Sequence, residues 1–148
     1  MNTEKPPYEY CALRFLMQWE RKERIIHEEL SRSPSPQNVR KALGYFQVSR
    51  GFPGLKTKAD RVVTALKKNS RGLNNKTVIS CVNGLADSFK RDFRKRNVSA
   101  ASKLLWLYCR TPVVIKDSKA TKALQSLGYE FRGDNYDFSW TVARVPGG

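Results

Sequence analysis

Val78, Val82, Leu85, Phe89 and Phe93 follow one another at steps of four, three, four and four. Only a helix of 3.6 residues per turn puts such positions on one face, so this stretch must bury an apolar stripe against other helices. The period recurs along the chain. Residues 8–31 place Ala12, Phe15, Leu16, Trp19, Ile26 and Leu30 on one stripe, with Glu20, Arg21, Glu23, Arg24 and Glu28 on the other side. Ser33-Pro34-Ser35-Pro36 breaks that helix. Ser35 as N-cap and Pro36 in the first turn start a second, which the pattern extends to about residue 50. The turn Gly51-Phe52-Pro53-Gly54 leads to a third stripe (Leu55, Ala59, Val62, Val63, Leu66) closed by Gly72.

The Val78 stripe opens a fourth helix near Asn74 or Asn75. A fifth, 99–108, is apolar along Leu104, Leu105, Trp106 and Leu107 and cannot pass Pro112. Pro112-Val113-Val114-Ile115 is extended but too short for a sheet. A sixth helix, 118–127, stops at Gly128, and the aromatic tail (Tyr129, Phe131, Tyr136, Phe138, Trp140) predicts a last helix over 135–145. The expectation is an all-α, compact, single-domain bundle of six or seven helices over residues 1–148.

Charge sets the function class. From Arg32 to Lys122 there are 21 Lys/Arg and four acids (Asp60, Asp87, Asp92, Asp117), a net of +17, between two ends of net −1 each. A hydrophobic content of 40 % with 11 % aromatics is too rich for a disordered basic tail, so the block predicts one folded surface for a polyanion, with nucleic acid as the partner. Lys90, Arg91, Arg94, Lys95 and Arg96 close the fourth helix, the first four of them on one face away from Phe89 and Phe93. Lys67, Lys68 and Arg71 hold the same place on the third, and Lys116 and Lys119 extend the surface. No stretch is long and apolar enough for a membrane span, and the polar start is no signal peptide, so a soluble cytoplasmic protein is expected. Cys11, Cys81 and Cys109 read as buried free thiols. One histidine and no C-x-x-C give neither a metal site nor a cofactor motif.

Two residues carry chemistry in this pattern. Ala100-Ala101-Ser102-Lys103-Leu104-Leu105-Trp106 sets a lysine among small residues on an apolar helix. Pro112-Val113-Val114-Ile115-Lys116-Asp117-Ser118 ends an apolar segment on a carboxylate. A half-buried lysine can become a nucleophile, and a carboxylate in a dry setting can stabilise a cation or polarise water. Asp117 is equally placed to cap the sixth helix.

Over residues 99–128 this pattern resembles DNA glycosylases of the helix-hairpin-helix superfamily and small phage-defence relatives that excise modified bases from viral DNA. The resemblance implies an all-α hydrolase that flips a base into a pocket between helices. Asp117 would be its catalytic carboxylate, Lys103 its Schiff-base nucleophile or phosphate anchor, and Trp106 or Tyr108 its stacking surface. Phe52-Pro53-Gly54-Leu55 opens like the hairpin of that superfamily, with Lys56 standing where its second glycine belongs. The alternatives are a non-catalytic DNA-binding protein and an RNA-cleaving toxin. For the latter, Arg21-Lys22-Glu23-Arg24-Ile25-Ile26-His27 resembles the Arg-x(4–6)-His signature of HEPN ribonucleases.

Overall fold

The computed structural model describes residues 8–131 and 135–137. Among them stand seven α-helices and no strand: α1 Tyr8–Gln18, α2 Arg24–Arg32, α3 Pro36–Tyr45, α4 Leu55–Ser70, α5 Val78–Phe93, α6 Val98–Cys109 and α7 Ser118–Ser126. The all-α class expected from the stripes is the class observed. No described helix is long and apolar enough to cross a membrane.

The starts and stops have local causes. Ser35 Oγ accepts the Asn38 N–H (3.2 Å) with Pro36 in the first turn of α3, and Asn97 Oδ1 accepts the Ala100 N–H (3.0 Å) at the start of α6. Gly72 (φ 68°) turns the chain after α4, a conformation that costs other residues energy. α3 stops at Tyr45 rather than near residue 50. Gln47 takes a left-handed conformation (φ 56°), and the Val48 N–H donates back to the Leu43 carbonyl (3.0 Å), which ends the helix and sends the chain inward. Phe52 is thereby delivered beneath α5, edge-on to Phe89 (4.8 Å) and Phe93 (5.0 Å).

α6 sits at the centre, packed on α2, α3, α4 and α5, and its Val98, Ala100, Ala101, Ser102, Leu104, Leu105 and Leu107 are buried. A helix apolar on so many sides is stable only when neighbours cover it. All five members of the α5 stripe are buried against this core. α4 and α5 form an antiparallel hairpin. Asn69, late on α4, reaches Ser88 Oγ (3.4 Å) and lies against Gly84, while Lys58, early on α4, donates to the Asp92 carbonyl (3.4 Å) at the end of α5.

The first rod departs from its expected stripe. α1 joins α2 through a π-helical turn, Trp19–Glu23, whose wider winding shifts every position before it relative to those after. Ile26 and Leu30 are therefore buried while Leu16 is 55 % exposed, and the side chain of Phe15 lies outside the described ones. The last helix expected over 135–145 falls almost wholly outside the described residues; positions 135–137 are described and are not helical. Cys81 is a buried free thiol and Cys109 a half-buried one, and the side chain of Cys11 is not among those described.

Tyr136 is fully buried. Its hydroxyl accepts the Val114 N–H (2.9 Å), and its backbone pairs with the Asn83 amide, whose Oδ1 also accepts from Arg96 (2.8 Å). Tyr136→Phe removes one oxygen and strands a backbone donor. Urea unfolding of the full chain is expected to show a loss of about 1–2 kcal/mol with an unchanged m-value.

Candidate functional site

Two consecutive residues of α6 organise the first part of the site. Ser102, buried, accepts the Lys116 N–H on its hydroxyl (3.0 Å) and so fastens the extended segment after Pro112 onto the helix. That contact brings Asp117 beside Lys103, with Nζ 3.7 Å from Oδ2 and side chains 14 % and 27 % exposed. The two oxygens of Asp117 are divided: Oδ1 accepts the Ala120 N–H (2.8 Å) and caps α7, while Oδ2 faces the lysine. On its other side the Lys103 ammonium stands 5.5 Å from the centre of the Phe46 ring. Lysine and carboxylate are thus fixed from three elements and remain partly open to solvent. Ser102 is a member of this site that spacing did not single out, although it sits within the small-Ser-Lys run.

The cations divide into two groups. Because α4 and α5 run antiparallel, Lys67, Lys68 and Arg71 lie toward the other end of the hairpin from Arg94 and Lys95, on the order of 10–15 Å away along its axis at 1.5 Å per residue, with Lys90 and Arg91 between. These seven are exposed. Arg94 and Lys95 are not on the face of α5, because the helix ends at Phe93 and Arg94 turns left-handed (φ 65°). The same packing adds Lys56 and Lys58 to the Arg94 end. There a cavity of about 450 Å³, lined by Arg40, Ser49, Phe52, Gly54, Leu55 and Lys56, opens beneath the loop. Lys103 lies less than two turns into α6, which begins just after Arg96, so the Lys103–Asp117 pair belongs to this end.

Two cations are structural where surface contacts were expected. Lys116 is 7 % exposed, its ammonium held by the Asn135 carbonyl and lying 5.7 Å from the Phe131 ring. Burial of the segment that positions Asp117 carries it inward. Arg96 binds Asp87 (2.9 Å) and the Asn83 amide. Lys119, in the first turn of α7, is exposed.

Trp106 and Tyr108 are both half-buried, but two residues apart on a helix they point to different sides and cannot form one stacking surface. Trp106 meets Trp19 edge-on (6.1 Å), and the Arg110 guanidinium lies over both indoles, 4.3 Å and 3.8 Å from their centres. Next to it is Glu23, 7 % exposed at the end of the π turn. Its Oε1 accepts from the Tyr45 hydroxyl (2.8 Å) and from Gln18 (3.3 Å). Burial pushes the Arg110 guanidinium below its ordinary value, against the opposing charge of Glu23, and burial raises the Tyr45 phenol. Neither Glu23 nor Arg110 carried a mark in the sequence. Glu23 falls within an alternating charge pattern, and Arg110 merely follows an apolar helix. His27 turns inward, with Nδ1 against the Leu107 carbonyl and its ring beside Trp19, while Arg21 is exposed, so the two members of the Arg-x(4–6)-His pattern do not meet in one cleft.

No protein-family description matches the chain, and neither a curated protein nor a solved structure shows significant similarity to it.

Proposed function

We propose that this chain binds DNA and excises an extruded, modified base at the Lys103–Asp117 pair. The observation that carries the reading is the convergence of a lysine and a carboxylate, fourteen positions apart in sequence, to 3.7 Å at the cationic end of an otherwise apolar helix. As a glycosidic bond breaks, its electrons leave with the base and C1′ becomes cationic. A carboxylate fixed by a helix cap offsets that charge without reorganising. Water then adds to C1′ and gives up a proton. Alternatively, the deprotonated Lys103 amine displaces the base at C1′, giving it one proton, and the ring oxygen then leaves C1′ as a hydroxyl with the second, so that the imine formed can be reduced by borohydride to a stable adduct. The resemblance over residues 99–128 supports the base as the leaving group, and the charge of the Arg94 end supports a duplex backbone as the anchor.

A non-catalytic binder is the second reading. It is favoured by the full engagement of Asp117, one oxygen in a cap and the other on Lys103.

Asp117→Asn separates the two. Asparagine caps a helix about as well as aspartate, so the thermal midpoint should hold. Release of free base from duplexes carrying normal and modified bases should fall by about a hundredfold or more. No release from any duplex, or release undiminished by Asp117→Asn, leaves only the binder.

The division of cations gives an independent expectation. About five exposed side chains at the Arg94 end (Lys56, Lys90, Arg91, Arg94, Lys95) predict a slope of log K against log salt between about −4 and −5. Arg94→Glu with Lys95→Glu should abolish duplex binding in fluorescence anisotropy at moderate salt, while Lys67→Glu with Lys68→Glu should leave most of it. Equal losses would place the interface along the hairpin instead.

A further inference from the structure

Two cavities adjoin along the first rod. One, of about 270 Å³, is lined by Arg14, Met17, Gln18, Arg21 and Lys22; the next, of about 350 Å³, by Arg21, Lys22, Ile25, Ile26, Lys41 and Tyr45. Arg21 and Lys22 border both, so the two form one groove with a cationic waist. The π turn makes that groove continuous. Met17, Arg21 and Ile25 stand four positions apart. In an α-helix each such step advances about 40° around the axis, and the wider winding of Trp19–Glu23 takes up that advance, keeping the three in line. Tyr10 and Leu13, both exposed, prolong the apolar edge before Met17. Among the described residues α1 has no extensive neighbour except the π turn that continues it.

The charges along this edge are unbalanced, although acids and bases nearly cancel over residues 1–31. Arg24 binds Glu20 (3.3 Å) and Glu28 (3.0 Å), and Lys41 binds Glu29 (2.8 Å), whereas Arg14, Arg21 and Lys22 make no ion pair among the described residues. No described carboxylate lines either cavity. An apolar floor with free cations at its waist calls for an occupant that is both apolar and acidic. A nucleic-acid strand fits poorly, because bases stack on flat rings and the floor here is aliphatic apart from Tyr45. A second copy fits poorly too, since a chain of 28 basic and 13 acidic side chains would set cation against cation. We infer that this groove docks an acidic amphipathic helix of a partner protein. Met17 and Ile25 lie about 12 Å apart along the rod at 1.5 Å per residue, the reach from i to i+7 or i+8 on such a helix. Its apolar side chains enter the two cavities at that spacing, and carboxylates between them meet Arg21 and Lys22. The surface is separate from the Lys103–Asp117 pair and does not depend on the excision reading.

The test uses the full chain and a fluorescein-labelled peptide of about 18 residues, long enough to span the groove as a helix. Leucines form one stripe along the peptide and glutamates fill the other positions. Fluorescence anisotropy is expected to show saturable binding. A peptide of identical composition with the stripe scrambled should bind at least tenfold more weakly, and one with lysine in place of glutamate should not bind. Met17→Glu, at an exposed position, and Arg21→Glu with Lys22→Glu should each weaken binding by tenfold or more; Ile25→Glu serves if Met17→Glu fails to fold. Lys67→Glu with Lys68→Glu makes the same charge change elsewhere and should leave the affinity as it is. No binding, equal binding of the scrambled peptide, indifference to Met17→Glu and Ile25→Glu, or equal loss in the Lys67 and Lys68 pair overturns the docking site. Displacement of the peptide by an oligonucleotide whose own binding is lost with Arg21→Glu and Lys22→Glu makes the groove a nucleic-acid site and overturns it as well.

Discussion

Burial of α6 on nearly all sides is the constraint around which the other helices are arranged. Its run from Val98 to Leu107 offers few polar positions, so α2, α3, α4 and α5 must each surrender a face to it. A helix so placed is a rigid mount: whatever projects from it is held by the core rather than by a loop. Three polar side chains at its start and on its first turns hold it to its surroundings. Asn97 caps it, Ser102 fastens the segment that brings in Asp117, and Lys103 meets the carboxylate that segment delivers. Its exit is also shaped by the core, since Arg110 reverses direction with a positive φ while its guanidinium folds back over Trp106. Such a conformation costs about 1–3 kcal/mol, which the double indole contact helps to offset.

Antiparallel packing decides what the charge block means. Read along the chain, the cations of α4 and α5 occupy equivalent positions near the ends of two helices. In space those ends lie toward opposite ends of the hairpin, so Lys67 and Arg94 are separated along it. The pairing that separates Lys67 from Arg94 is the same one that brings Lys56 and Lys58 to Arg94, and it creates a cationic edge that continues into the start of α6.

Helix class and number were legible because each stripe is a local pattern, and so were the caps at Ser35 and Asp117, which depend on a hydroxyl or carboxylate three residues from an amide. Lys103 and Asp117 could be singled out by their setting, but their proximity depends on Ser102 gripping the Lys116 backbone, a contact across fourteen positions that no period encodes. The failures share a cause. Leu16 was misplaced because the π turn adds a residue that a 3.6 period ignores. Lys116 reads as a surface cation in the sequence because its burial depends on the Asn135 carbonyl and Phe131, both distant in sequence. Glu23 was invisible for the same reason, since its partner Tyr45 lies on another helix, 22 positions away.

The two polar clusters on α6 differ in their contact with water. A lysine paired to a carboxylate is a charged donor held in place, still partly open to solvent. Glu23 and Arg110 have the complementary character. Glu23 is buried and Arg110 half-buried with its Nη1 out of reach of water, so each carries a desolvation cost that the opposite charge nearby offsets. The π turn then has a physical purpose: it lets an acidic residue from an otherwise solvated helix face enter the interior, where an ordinary turn would leave it in water.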